Sequence, residues 1–194
     1  MRPPWLITLV LGTSGVGKSS VAVPLAARYG VRLCEEDDII TALRALTTPA
    51  QQPVLHYGAT HPDMYSWPPE RIADHHLALT EVVRPALRAV IADHIEFRAP
   101  MVLEGDYLTP DIVTEFGAEV RAVVLHEPDA ALIEANYAER EPGADHRLRA
   151  SVSAEIGRRL AEQAVPVGVP VVPPRPWRDG LDRTDAALRD AGRP

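Results

Sequence analysis

Residues 12–19, Gly-Thr-Ser-Gly-Val-Gly-Lys-Ser, fit the pattern G-x-x-x-x-G-K-[ST] at every fixed position. The apolar run at 6–11 ahead of them reads as a buried strand, and residues 20–29 behind them read as a helix. That order narrows the possible folds more than anything else in the chain. Glycines let the backbone turn sharply and bring its N–H groups against phosphate oxygens. The following helix adds the partial positive charge of its N-terminus. The loop residues Gly12, Thr13, Ser14, Gly15, Val16, Gly17, Lys18, Ser19 and Ser20 are therefore expected to cradle a nucleotide's phosphates. Lys18 is expected to reach the β- and γ-phosphates, and the Ser19 hydroxyl to help hold Mg²⁺.

The rest of the chain fits an alternation of strands and helices, hence an α/β parallel sheet. Strands are expected at 31–34, 101–104, 121–125 and 169–172. Pro24 is expected to kink or shorten the first helix, and Gly30 to stop it. Asp37 and Asp38 open the next helix, with Asp38 as its cap. Residues 47–69 read as an irregular insert, followed by a helical stretch that Pro85 divides in two. A short helix is expected at 111–116, ended by Gly117. Pro128 fits the first turn of a helix running to about Arg140. After an interruption at 141–144, Leu148, Val152, Ile156 and Leu160 mark one face of another helix. A closing helix is expected at 179–190, with frayed residues after it. The whole of 1–194 reads as one domain, with a helical substrate-binding insert at 47–97 and a lid at 140–149.

Net charge is −7 and there is no basic block, which argues against a nucleic-acid partner. The opening apolar run is too short to span a bilayer, so no membrane partner and a cytoplasmic location are expected. A single cysteine, Cys34, excludes an internal disulfide and reads as a core filler.

Three places carry further chemistry. In an open α/β sheet, ligands lie beyond the carboxyl ends of the strands. The run Glu35-Glu36-Asp37-Asp38 falls there, and Asp37, at the strand-to-helix turn, is the candidate to accept a substrate hydroxyl proton. Glu35 is a candidate for Mg²⁺ or substrate contact. At the end of the third strand, Glu104 could hold Mg²⁺ or orient the attacking group, and Asp106 could meet the substrate. Arg140, Arg147 and Arg149 surround the interruption at 141–144, where a lid would bring guanidinium groups onto the transferring phosphoryl. Adjacent His75 and His76 point to different sides of a helix and do not suit one metal ion. His56, Tyr57, His61, Tyr65 and Trp67 either line a substrate pocket or pack the insert, and His126 is equally open. Arg175 either stacks on a nucleotide base or belongs to a rigid proline-rich turn.

With these residues assembled, the chain resembles the small P-loop kinases: shikimate and gluconate kinases, chloramphenicol phosphotransferase and 2-phosphoglycerate kinase-like proteins. Asp37-x-x-Ile40 is similar to the element that carries the catalytic base in shikimate-kinase-like enzymes, and Leu103-Glu104-Gly105 to the strand end of 2-phosphoglycerate kinase-like proteins. Arg140, Arg147 and Arg149 fall where such families place the lid, and the Arg175 loop where they place the adenine side. The resemblance implies a P-loop NTPase fold, a five-stranded parallel sheet of order 2-3-1-4-5 with helices on both faces. It implies transfer of the γ-phosphate of ATP, with Mg²⁺, to a hydroxyl of a small metabolite, nucleoside or antibiotic by a monomer or homodimer. The chain departs from shikimate kinase in having Glu35-x-Asp37 for Asp-x-Asp and in lacking the Gly-Gly motif of strand three. The alternative is a nucleotide-dependent regulatory ATPase acting through a protein partner. The chain has no Asn-Lys-x-Asp base-reading motif for GTP and no apolar strand ending in Asp-Glu for a motor ATPase.

Overall fold

A computed structural model describes residues 3–191. Five strands, β1 (Ile7–Leu11), β2 (Arg32–Glu35), β3 (Met101–Gly105), β4 (Val120–Leu125) and β5 (Val171–Val172), form one parallel sheet in the order β2-β3-β1-β4-β5. The expected sheet order is thus the observed one. β1 alternates between two cores. Ile7, Leu9 and Leu11 face a cluster with Leu87, Ile91 and Leu160, while Val10 faces one with Val21, Leu25 and Leu188. Both faces are covered, which is why β1 and β3 read as continuous apolar runs.

α1 (Lys18–Tyr29) begins at the loop lysine and runs through Pro24, which does not shorten it; Gly30 ends it in the left-handed conformation. α2 (Glu36–Leu46) starts one residue earlier than expected, and its N-terminus takes no side-chain cap, so Asp38 sits inside the first turn. The insert is not structureless. It folds into α3 (Tyr57–Thr60), a 3-10 turn at Pro62–Ser66 and α4 (Pro69–Glu96).

α4 is one helix of 28 residues with Pro85 inside it, not two. Pro85 and Glu81, whose carbonyl loses its helical partner, both lie on the exposed face, where water can hydrate that oxygen. Leu79, Val83, Leu87 and Ile91 are buried on the opposite face. At about 1.5–3 kcal/mol for each such side chain, their burial outweighs a proline penalty of roughly 3 kcal/mol.

A 3-10 turn at Pro110–Ile112 leads into α5 (Val113–Phe116), ended by Gly117 and a 3-10 turn at Gly117–Glu119. Asp129, not Pro128, starts α6 (Ala130–Arg140), its side chain accepting from the Ala131 N–H at 2.8 Å. In α7 (Arg147–Ala164), Ile156 and Leu160 are buried, Val152 lies at the core edge and Leu148 is exposed. A 3-10 turn at Val165–Val167 precedes β5. α8 (Trp177–Asp190) begins two residues before its expected start, and residues 192–194, part of the expected frayed end, lie outside the described residues. Cys34 is half-buried at the core edge. Among the described residues, no helix is long and apolar enough to cross a membrane.

Candidate active site

Parallel register brings the chemistry to one edge. Glu35 pairs with Glu104, and Leu11, the last residue before the glycine loop, pairs with Gly105. The loop between β1 and α1, the start of α2 and the end of β3 therefore open together on a cleft of about 790 Å³. The cleft is lined by Ser14, Gly15, Gly17, Lys18, Ser19 and Ser20 from the loop and α1, by Glu35, Glu36 and Asp37, by Glu104 and Asp106, and by Arg140. Gly12, Thr13 and Val16 are buried beneath the loop.

The N-terminus of α1 has no side-chain cap and no acid in its first turn, so its positive end faces the cleft uncompensated. Lys18 Nζ donates to the Thr13 carbonyl at 3.2 Å and forms an ion pair with Asp106 Oδ1. The Ser19 hydroxyl donates to Glu104 Oε1 at 2.7 Å. Glu104 Oε2 is buried with no partner, and burial raises the carboxyl above the usual carboxylate range. A hydroxyl and a carboxylate with a spare lone pair make an all-oxygen donor set that suits a hard cation such as Mg²⁺.

Glu36 was missed by the sequence. Its side chain is 1% exposed, the most enclosed acid of the cleft. Oε2 accepts from the Tyr107 N–H at 2.7 Å, and Oε1 has no partner. Burial pushes the carboxyl up to about 8, Asp106 and Asp37 add to the rise, and the Tyr107 N–H and Lys18 oppose it. Gly105 makes this position possible, because a Cβ there would overlap Glu36 Oε2. Asp37, the candidate base, lies beside Glu36 on the open side of the cleft.

On the far side, Asn136 Nδ2 donates to the Gly15 carbonyl at 2.7 Å, and Arg175 Nη2 donates to Asn136 Oδ1 at 2.6 Å. Arg175 thus braces the loop through Asn136 and does not itself line the cleft. Trp177 does line it, with its ring packed on Gly17 so closely that a Cβ there would collide with it. Trp177 carries no motif signal in the sequence; its place follows from where α8 begins.

The arginines separate. Arg140 lines the cleft, pairs with exposed Glu141 at 3.3 Å and lies 5.4 Å from the centre of the Tyr137 ring. Arg149 lies over the Tyr137 ring at 4.0 Å, grips both Glu141 oxygens at 3.0 Å and reaches Ser14 Oγ at 3.4 Å. Arg147 is 77% exposed, pairs with Asp145 at 2.5 Å and does not line the cleft. Tyr57 does not line it either. Its ring stacks on His61 with centroids 4.0 Å apart and lies 5.0 Å from His75 and 5.8 Å from Trp67, so these aromatics pack the insert against α4. The His76 ring donates its Nε2–H to the Asp106 carbonyl at 2.8 Å and stacks on Tyr107. His126 lies at the end of β4, with Nδ1 buried and unpartnered against Gly157.

No protein-family model and no curated protein matches the chain. Solved structures do match it along nearly its whole length. A gluconokinase from Sinorhizobium meliloti 1021 is 18% identical, with a TM-score of 0.57 over 98% of this chain and 94% of that one. A shikimate kinase from Bacteroides thetaiotaomicron is 16% identical, with a TM-score of 0.55 over 94% of this chain and 98% of that one. A sugar kinase from Janibacter sp. HTCC2649 is 15% identical, with a TM-score of 0.53 over 98% of this chain and 100% of that one. At these identities the likeness is one of fold: the chain, with its five-stranded parallel sheet of order β2-β3-β1-β4-β5, shares the fold of these kinase structures.

Proposed function

We propose that the protein is an ATP-dependent small-molecule kinase that transfers the γ-phosphate to a hydroxyl of a small acceptor. The observation that carries this reading is the single cleft in which Lys18, the Ser19–Glu104 pair and the acids at the start of α2 lie together. That arrangement gives a phosphate cradle on one side and a proton acceptor on the other. The neighbouring folds, described as sugar kinase, gluconokinase and shikimate kinase, agree with it.

The loop backbone and the α1 N-terminus hold the polyphosphate, and Lys18 leaves Asp106 to balance charge on the transferring group. Ser19 and Glu104 would hold Mg²⁺, which would supply positive charge against the charge of the transferring group. Arg140 turns from Glu141 onto the phosphates; an exposed ion pair of this kind is screened by solvent, so little opposes the turn. Trp177 offers its ring to the base, while Arg175 fixes the loop through Asn136. Asp37 accepts the hydroxyl proton as the acceptor oxygen bonds to the γ-phosphorus. The bond from that phosphorus to the β,γ-bridging oxygen breaks, and ADP leaves. Arg147 and Tyr57 have no part in this scheme, since neither lines the cleft.

The test is ATP consumption by the purified protein with Mg²⁺ against pooled hydroxylated metabolites, nucleosides and antibiotics, read by mass spectrometry. A product heavier by one phosphoryl group is expected. ATP binding without product from any pool would instead favour a regulatory ATPase.

A further inference from the structure

The charge of the cleft is lopsided. Six acids line it, against two cations, Lys18 and Arg140. Glu104 is accounted for by Ser19 and a metal, and Glu139 lies beside Arg140 on α6. Glu35, Glu36, Asp37 and Asp106 remain around the acceptor end. A nucleotide's phosphates would add further negative charge a few ångströms away.

Two observations bear on what this acid end could take. Glu36 lines the cleft, is 1% exposed and leaves Oε1 without a partner. Oε2 is satisfied by the Tyr107 N–H, so Oε1 is the acceptor atom left without a donor. Next to it, Asp106 already holds an alkylammonium, that of Lys18. Lys18 is the single lysine of the chain. Once it turns to the phosphates, no other lysine can replace it, and Asp106 is left without its cation.

We propose that the acceptor carries a protonated amine as well as the hydroxyl that receives the phosphoryl group, and that Glu36 and Asp106 hold the ammonium. The acceptor class is an amino alcohol or amino sugar. The assignment rests on the kinase reading of the same cleft and names its substrate class. Asp37, on the open side, meets the hydroxyl, while the ammonium takes the place that the Lys18 side chain leaves.

The test is equilibrium binding by calorimetry to the protein loaded with Mg²⁺ and a non-hydrolysable ATP analogue. Three matched series serve as probes: glucosamine, glucose and gluconate; serinol, glycerol and glycerate; and kanamycin with its N-acetylated form. In at least one series, the amine is expected to bind roughly tenfold or more tightly than the neutral form, with no binding of the carboxylate. Glu36→Gln should remove that preference, and so should Asp106→Asn, a second variant in case the first folds poorly. Equal or tighter binding of the neutral or carboxylate forms overturns the proposal, as does no binding of any amine. With unmodified ATP, phosphorylation of a neutral or acidic acceptor alone would keep the kinase reading and sink this one. Amine binding without any phosphorylated product would support the amine site and sink the kinase reading.

Discussion

The ammonium of Lys18 is held between the Thr13 carbonyl, at 3.2 Å, and the carboxylate of Asp106. The lysine that the phosphate loop offers to a nucleotide is therefore engaged by an acid 88 residues away, from the end of β3. Nucleotide binding has to exchange that partner for phosphate oxygens. Asp106→Asn removes the competing charge, and ATP is expected to bind about tenfold more tightly. Turnover is expected to fall, because Asp106 also faces the acceptor. Calorimetric titration with ATP checks the first outcome; unchanged affinity would show that the pair does not compete with the nucleotide.

Asp37 is the acid of the α2 start that faces the open cleft. Asp37→Asn keeps its shape and loses its basicity. Turnover is expected to drop about 10²–10⁴-fold, with ATP affinity little changed. Steady-state kinetics beside nucleotide titration separates the two quantities. Turnover within a few-fold of the parent would move the base to another residue.

Gly105 leaves room for Glu36, since a Cβ would overlap Oε2. Gly105→Ala alone is expected to destabilise the fold by roughly 1–3 kcal/mol, as overpacking does. In Glu36→Ala the same change should lose most of its effect. Urea unfolding of the two single variants and the double variant measures the coupling. Additive effects would mean that the crowding is relieved elsewhere.

Glu36 also predicts a pH dependence. Its pKa is raised from the ordinary carboxylate value to about 8 by burial, with Asp106 and Asp37 adding to the rise and Tyr107 N–H and Lys18 opposing it. The folded state therefore keeps a proton that the unfolded state loses at about pH 4.3. Between those values, the folded state binds more protons, so stability is full below the lower one and declines as pH rises towards 8. Glu36→Gln cannot ionise and should flatten that decline. Unfolding midpoints at pH 5, 7 and 9 for both proteins provide the comparison; parallel curves would assign the pH dependence to other groups.

Trp177 lies on Gly17 at the rim of the cleft and is 41% exposed. A base stacked there should quench its fluorescence. Trp177→Ala is expected to weaken ATP binding by about 1–3 kcal/mol, the range for base–aromatic stacking, while leaving binding of inorganic triphosphate unchanged. Equal weakening of both ligands would point to a collapsed loop instead.

The phosphate loop was legible because it is local: a strand, eight residues and a helix supply their own geometry. The sheet order was legible through the resemblance that those residues carry, and the register of β1 with β3 puts Glu104 within reach of Ser19. Pro85 misled because proline's local penalty is visible in sequence, whereas the burial of Leu79, Val83, Leu87 and Ile91 that overcomes it is not. Arg147 and Tyr57 have the right residue types near the right segments, but side-chain direction decides what lines a cleft. Each step along a helix turns the side chain by about 100°, so starting α2 at Glu36 sends that residue inward against Gly105 and leaves Asp37 at the opening. The sequence by itself determined the strand, glycine loop and helix that a phosphate site needs, and where along the chain they lie. Only the tertiary structure decided which acids surround it, because Lys18 with Asp106, Tyr107 with Glu36, and Asn136 with Gly15 are separated by 88, 71 and 121 residues. Those pairings exist only after parallel strands have set the ends of distant segments side by side.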